Sequence, residues 1–437
     1  MKKLFFLLIL SIFCFQKVYA EEINWENVKE QALQNSFDLK ISETDIKITD
    51  TEILGAKSEY YPKISTYFYS ELTKSFDNNN QTVYIGNEVL YGDSVFQTSL
   101  SVGLTYNLYD FGIRGDRLKI AKSDKISKLA QYNKILRDTE ISAIDTYAKS
   151  LLLYKQISLL TQTAALQNEL YNDKERLHKA GKIPETSVLS EKIKLAEINN
   201  ELQKTKNEFE KSLKELSFLT RIDYEKNTAI KDFVYENTDK QDDLPVLDVE
   251  NIPEAKIYDA EIEKKEKELL IAKKQNLPAF NFTTNYYLYG ADPNNYFDSY
   301  ENFKQRGLKF RIITSLPIFD GFKNKSDRDR IKLEILRLKT EKEKKIAEVK
   351  YTYEKIRDDA VYGKILHKNN LRMKDFLAKN ISDFDRLNKQ KLIDKDSYLE
   401  QKIGLLNKYF EIEKSEITEF VSAYKLDLMT KNSGENI

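Results

Sequence analysis

Residue types that carry chemistry are few in this chain of 437 residues, and their spacing points away from an enzyme. The only histidines, His178 and His367, stand 189 positions apart in polar, helix-patterned sequence, without zinc-ligand spacing around either. There is no nucleophile motif and no phosphate-binding loop, so no cofactor is expected and both histidines read as surface residues. An ionisable cluster, Asp394-Lys395-Asp396, crowds one turn, with Glu400 close behind. By itself such a cluster reads as a solvated, charged helix end. Two further aspartates share a repeated context: Asn107-Leu108-Tyr109-Asp110-Phe111-Gly112 and Leu316-Pro317-Ile318-Phe319-Asp320-Gly321-Phe322, with Asp110 and Asp320 210 positions apart.

The elements around those turns repeat as well. Phe96, Thr98, Leu100, Val102, Leu104, Tyr106 and Leu108 alternate with Gln97, Ser99, Ser101, Gly103, Thr105 and Asn107. At about 14 residues this strand exceeds the 9–11 that cross a bilayer. Ile64, Thr66, Phe68 and Ser70 begin an earlier strand after Pro62, and a polar loop runs from Asp77-Asn78-Asn79-Asn80 to about Ser94. In the second half Phe280, Phe282, Thr284, Tyr286 and Leu288 form one strand face, and Leu308, Phe310, Ile312, Thr314, Leu316 and Ile318 the next. A loop from Gly290 to Gly307 separates them. After the first turn comes a helical run of about 67 residues, on the order of 100 Å, and after the second another long helix. Leu152, Leu159 and Leu166 are seven apart, and the returning helix carries Leu195, Ile198, Leu202, Thr205, Phe209, Ser212, Leu216 and Leu219. In the second half Ile346, Val349, Tyr353, Ile356 and Ala360, then Ile403, Leu406, Phe410, Glu413, Ile417, Phe420 and Tyr424, step by three and four. These seams indicate left-handed helix pairing. Leu177 and Leu387, Ile183 and Ile393, Ser187 and Ser397, Leu189 and Leu399 all keep the 210 offset. The chain is an internal repeat.

Compartment follows from the start of the chain. Lys2-Lys3, the apolar run Leu4 to Phe15 and Val18-Tyr19-Ala20 read as a secretory signal peptide over 1–20. The only cysteine, Cys14, falls inside it; a lipoprotein cysteine is the alternative, against which bulky Phe13 counts. Charge is balanced at 70 basic and 70 acidic residues, which gives no electrostatic case for nucleic acid. No later apolar run reaches the roughly 20 residues of a membrane helix. Yet 27 Tyr and 23 Phe crowd into the alternating runs, the pattern of an outer-membrane β-barrel.

The boundaries read as an N-terminal helical segment 21–61, a first β-hairpin 62–109, a first long helical hairpin 110–219 and a connection 220–253. A second repeat follows: an opening helix 254–277, a second β-hairpin 278–319, a second helical hairpin 320–430 and a disordered tail 431–437. Four strands cannot close, so copies of the chain must pool strands. The fold class is thus a mixed α and β membrane protein built on a duplicated strand-strand-helix-helix repeat. A periplasmic coiled-coil scaffold with a soluble β domain is the alternative.

That order, the Leu-Pro before a strand, Leu316-Pro317-Ile318-Phe319-Asp320-Gly321 ending one, and Leu177, Gly181 and Ser187-Val188-Leu189 at the helix reversal resemble the TolC family of outer-membrane efflux proteins. The resemblance spans essentially the whole mature chain. It implies a homotrimer: a twelve-strand β-barrel in outer-membrane lipid, continued by a long periplasmic α-helical coiled-coil barrel. It also implies a passive exit duct of a tripartite efflux or type I secretion system, served by a periplasmic adaptor (membrane fusion protein) and an inner-membrane transporter. Family tunnels close at the helix reversals with polar and charged residues, often an aspartate where this chain has Ser187 and Ser397. Glu400 matches a family carboxylate position. The resemblance therefore makes Glu400, Asp396, Asp394 and Lys395 gate candidates, and Gly181, Ser187, Leu189, Ser397 and Leu399 adaptor-docking candidates. Asp110, Gly112, Asp320 and Gly321 are expected to form the strand-to-helix turns. Which carboxylate faces the lumen is open, because helix phase is undefined at a reversal.

Overall fold

The computed structural model describes residues 22–74, 81–85, 88–92, 94–226, 228–234 and 245–431. The expected leader Met1–Ala20 with Cys14, the Asn-rich loop start Asp77–Asn80, residues 235–244 of the connection and 432–437 of the tail lie outside the described residues. In chain order, β1 (Glu22–Ile23) leads to α1 (Trp25–Asn35), α2 (Phe37–Ser58), β2 (Lys63–Lys74), β3 (Gln81–Ile85), β4 (Glu88–Gly92) and β5 (Ser94–Tyr109). Then come α3 (Ile113–Lys179), α4 (Glu185–Thr220), β6 (Ala229–Ile230), α5 (Pro253–Lys274) and β7 (Ala279–Asp292). The chain continues with α6 (Tyr296–Glu301), β8 (Gln305–Ser315), α7 (Lys323–Lys389) and α8 (Lys395–Thr430). The duplication is kept to the residue: Ile113 and Lys323, Lys179 and Lys389, Glu185 and Lys395, Thr220 and Thr430 are each 210 positions apart.

The chain divides into two compact units, one of residues 1–42, 132–253 and 345–437, the other of 43–131 and 254–344. In the second, the four long strands form one antiparallel sheet in the order β2-β5-β7-β8. Its register decides which side chains share a face. Thr66, Val102, Tyr286 and Leu308 lie in one cross-strand row, and Ile64, Leu104, Thr284 and Phe310 in the next. The alternate rows are Tyr67, Ser101, Tyr287 and Gly307, then Ser65, Gly103, Asn285 and Lys309. Side chains alternate across a strand, so the apolar positions of all four strands collect on one face and the polar positions on the other. Ile64 is 70% exposed, Phe310 68% and Ile312 67%, so this face is bare there in the single chain, whereas α6 covers its far end, where Thr98 is fully buried and hydrogen-bonds the Ser299 hydroxyl at 2.8 Å. No helix among the described residues is long and apolar enough to cross a membrane.

Three expectations in this unit change. The first loop is not simply polar coil: β3 pairs antiparallel with β4, which the Asn and Gly residues around them hide from a reading by polarity. The second loop contains the helix α6, capped by the Asn295 side chain, which accepts from the Asp298 amide at 3.0 Å. The last strand ends at Ser315, so Leu316 and Ile318 do not belong to its face. Pro317 has no amide to donate and restrains the residue before it, which stops the ladder there.

The other unit is helical around one aromatic core. Trp25 meets Tyr424 edge-on at 5.3 Å, Tyr147 meets Phe233 at 5.2 Å, and Phe233 stacks on Phe420 at 4.2 Å. Tyr147 is fully buried, and its hydroxyl donates to the Lys231 carbonyl at 2.6 Å. Burial, and then the charge of Asp232, push its pKa up. The connection 220–253 is more than a loop, because Ala229–Ile230 pairs in parallel with Glu22–Ile23 and ties the start of the chain to it. On α4 the expected seam is buried at Leu202, Thr205, Phe209, Ser212 and Leu216. On α8 it holds in the second half, where Ile417 is buried and Phe420 and Tyr424 pack on the aromatic core, but is displaced in the first: Leu405 and Ile412 are buried there against Leu377 and Ile381 of α7, while Ile403, Leu406 and Phe410 are half-buried. A helix apolar on more than one side has two possible seams, and packing rather than periodicity selects between them.

Candidate functional sites at the helix reversals and strand-to-helix turns

Both helix reversals use the same backbone device. In the first, the Gly181 amide donates to the His178 carbonyl at 2.8 Å and Lys182 to Leu177 at 3.0 Å. In the second, Lys391 donates to Asn388 and Leu392 to Leu387, both at 3.0 Å. These are paired C-terminal caps closed through a left-handed residue. Gly181 has φ 71° and its repeat partner Lys391 has φ 56°. A side chain in that region costs roughly 1–2 kcal/mol. Lys391→Gly is therefore expected to stabilise the protein by about 1 kcal/mol, and Gly181→Ala to destabilise it by a similar amount. Thermal unfolding of the full chain in detergent checks this; a fall in Tm for Lys391→Gly overturns it.

The cluster past the second reversal is largely occupied with holding the chain together. Asp394 caps α8, its carboxylate accepting from the Ser397 amide at 3.2 Å, where the first repeat has Pro184 with no side-chain cap. Asp396 pairs with Lys174 of α3 at 2.6 Å. Lys395 reaches Glu169 at 2.6 Å and Asp173 at 2.7 Å, also on α3. Hydrogen bonding to Asp396 raises the Lys174 pKa, and hydrogen bonds to Asp173 and then Glu169 raise that of Lys395, so both lysines are held charged. Further along, Lys402 and Tyr398 both donate to Asp385, at 2.8 and 2.7 Å. Lys402 and then Tyr398 pull the Asp385 pKa down. Glu400 is different: it is exposed, with no ion pair among the described residues, and its charge acts on Lys174 only through space. Glu169, Asp173, Lys174 and Asp385 escaped the sequence reading, since nothing in their spacing shows what faces them.

The docking candidates separate in the same way. Gly181 and Ser397 are exposed, and Ser187 is half-buried. Leu189 is 47% exposed, with Ile193 one turn on at 60%. Leu399 is only 1% exposed, enclosed by Leu170, Tyr398, Leu166, Phe384 and Ile393. Repeat partners in sequence, Leu189 and Leu399 are opposite in burial, because α3 covers the start of α8.

At the strand-to-helix turns, Phe111 (φ 56°) and Gly112 (φ 82°) match Gly321 (φ 65°) and Phe322 (φ 66°). Each turn takes two left-handed residues after its aspartate, with the glycine in swapped order. The Asp110 carboxylate accepts from the Gly112 and Arg114 amides, both at 3.0 Å, and pairs with the Arg114 side chain at 3.0 Å. Asp320 accepts from the Asn324 amide at 2.8 Å. Each aspartate satisfies amides that open a 67-residue helix. Beside the first turn a cavity of about 380 Å³ is lined by charged residues that include Glu59, Lys63, Asp110, Arg114, Arg117 and Lys274. No cluster of three or more metal-ligating side chains occurs among the described residues.

Residues 28–220 match the family model described as outer membrane efflux protein. No curated protein sequence matches the chain. Among solved structures, the CmeC outer membrane channel of Campylobacter jejuni superposes with TM-score 0.75 at 16% identity, over 94% of this chain and 87% of its own. A membrane protein from Pseudomonas aeruginosa gives TM-score 0.73 at 14% identity, over 93% of both chains. VceC, an outer membrane protein of Vibrio cholerae, gives 0.71 at 13%, over 93% and 94%. At such identities the likeness establishes the fold.

Proposed function

We propose that the chain, of which residues 28–220 match the outer membrane efflux protein model, is a homotrimeric exit duct of that family. It would conduct cargo passively from an inner-membrane transporter and periplasmic adaptor, in a tripartite efflux or type I secretion system, to the exterior. One observation supports this most. The β2-β5-β7-β8 sheet gathers most of its aliphatic side chains on one face, and both outer strands, 12 and 11 residues long, have an edge that is unpaired among the described residues. In lipid each unsatisfied backbone group costs several kcal/mol, so such a sheet needs closure. Joining β8 of one chain to β2 of the next pools about twelve strands from three chains, enough to leave a lumen. The polar face, including Ser99, Ser101 and Thr105, would line it.

Membrane fractionation and the native mass in detergent test this reading. A heat-modifiable trimer in the outer membrane that conducts in planar bilayers is expected. A soluble periplasmic monomer would instead make the chain a coiled-coil scaffold.

Within the duct, the reversals would form the periplasmic mouth, with Leu189 and Ile193 presented to the adaptor and Glu400 as the gate carboxylate. Asp394 caps α8 and Lys395 and Asp396 are ion-paired within the chain, which leaves Glu400 as the carboxylate of this group with neither a cap nor an ion pair among the described residues. Three copies near one axis would repel each other or hold a cation. Glu400→Ala is therefore expected to weaken block by divalent ions in planar-bilayer recordings without altering trimer yield. Unchanged block returns Glu400 to the solvated surface.

A further inference from the structure

The polar face of the sheet is not electrically neutral. Two adjacent rows carry all of its cations: Lys63, Thr105, Thr283 and Arg311 in one, Ser65, Gly103, Asn285 and Lys309 in the other. Neither row contains an acid. Lys63, Lys309 and Arg311 are exposed and have no ion pair among the described residues, in a chain whose 70 basic residues are matched by 70 acidic ones. Lys309 rests over the Tyr287 ring at 5.0 Å. The carboxylates that share a cavity lining with Lys63 are already paired, Glu59 with Arg117 at 2.9 Å and Asp110 with Arg114 at 3.0 Å. Glu71, the one acid on this face of the long strands, pairs with Gln97, eight positions along β2 from Lys63. Three fixed positive charges, flanked by Ser, Thr, Asn and Gly, therefore form a band across the sheet.

We propose that this band makes the strand-lined section of the duct favour anions, so that its cargo includes molecules bearing carboxylate, sulfonate or phosphate groups. The inference rests on the channel reading above, which makes the polar face the lumen. Oriented charges in a water-filled, low-dielectric wall concentrate the opposite ion. Closure of three chains would bring three such bands into one ring. Side chains that are uncharged but hydrogen-bonding on both rows leave that potential unscreened by the protein.

A single reporter cysteine at Thr105, between Lys63 and Thr283, tests the proposal on the assembled full-length protein in proteoliposomes. Cys14 is the only native cysteine, and the unsubstituted protein supplies the background. Thr105→Cys is labelled with a sulfonate-bearing and a trimethylammonium-bearing methanethiosulfonate of similar size. The anionic reagent is expected to react about tenfold faster, and the preference to fall to near parity when K63Q, K309Q and R311Q are added. Parity or a cation preference in Thr105→Cys alone overturns the proposal while leaving the channel reading intact. If Thr105→Cys is unreactive and Val102→Cys is labelled, the facing is reversed, and the lumen assignment and the proposal fall together.

Discussion

On the duct reading, Val102→Arg is expected to prevent stable assembly in the outer membrane, whereas Ser101→Arg, at the adjacent position, is expected to be tolerated. Val102 shares its row with Thr66, Tyr286 and Leu308 on the apolar face, and Ser101 shares its row with Tyr67, Tyr287 and Gly307 on the polar one. A charge on the lipid side near the bilayer midplane costs about 2–4 kcal/mol, and in a trimer each chain would bear it. Toward a water-filled lumen the same side chain stays solvated. The measurement is the yield of heat-modifiable trimer extracted from outer membranes for each variant. Equal yields would show that the two faces do not differ in environment.

A second large effect separates repeat partners. Leu399→Asp is expected to unseat the start of α8, because the side chain lies between Leu170 of α3 and Phe384 of α7, 1% exposed. Truncating a buried leucine costs about 2–5 kcal/mol, and an unpaired buried carboxylate adds to that. Lys395 and Asp396, just before it, would lose their register with Glu169, Asp173 and Lys174. Leu189→Asp, at the corresponding place in the first repeat, removes no packing of that kind and is expected to change stability by no more than about 0.5 kcal/mol. Under the duct reading it should still abolish export, by placing charge on the surface offered to the adaptor. Limited proteolysis and thermal unfolding report the first effect, and export against trimer yield the second. Loss of trimer with Leu189→Asp would make that residue structural and remove the docking assignment.

The sequence alone determined what local backbone geometry can express. Alternation over Phe96–Leu108 and steps of three and four over Leu202–Leu216 reflect the periods of strand and helix, and β5 and α4 are found there. Pro62, Pro184 and the Asp110 and Asp320 turns punctuate the chain because proline and left-handed residues limit the backbone wherever they occur. The 210-residue offset needed only comparison of the chain with itself. Other features required partners distant in sequence. The common apolar face depends on the register of β2, β5, β7 and β8, which no single strand contains. The pairing of Glu22–Ile23 with Ala229–Ile230 joins residues over 200 positions apart, as does that of Lys174 with Asp396. Leu189 and Leu399 are equal by the repeat and unequal in burial, since burial depends on what the folded chain lays against a residue. For the same reason Asp394, Asp396 and Glu400, alike as letters, became a helix cap, an ion-pair partner and an unpartnered surface charge only once α3 stood beside α8.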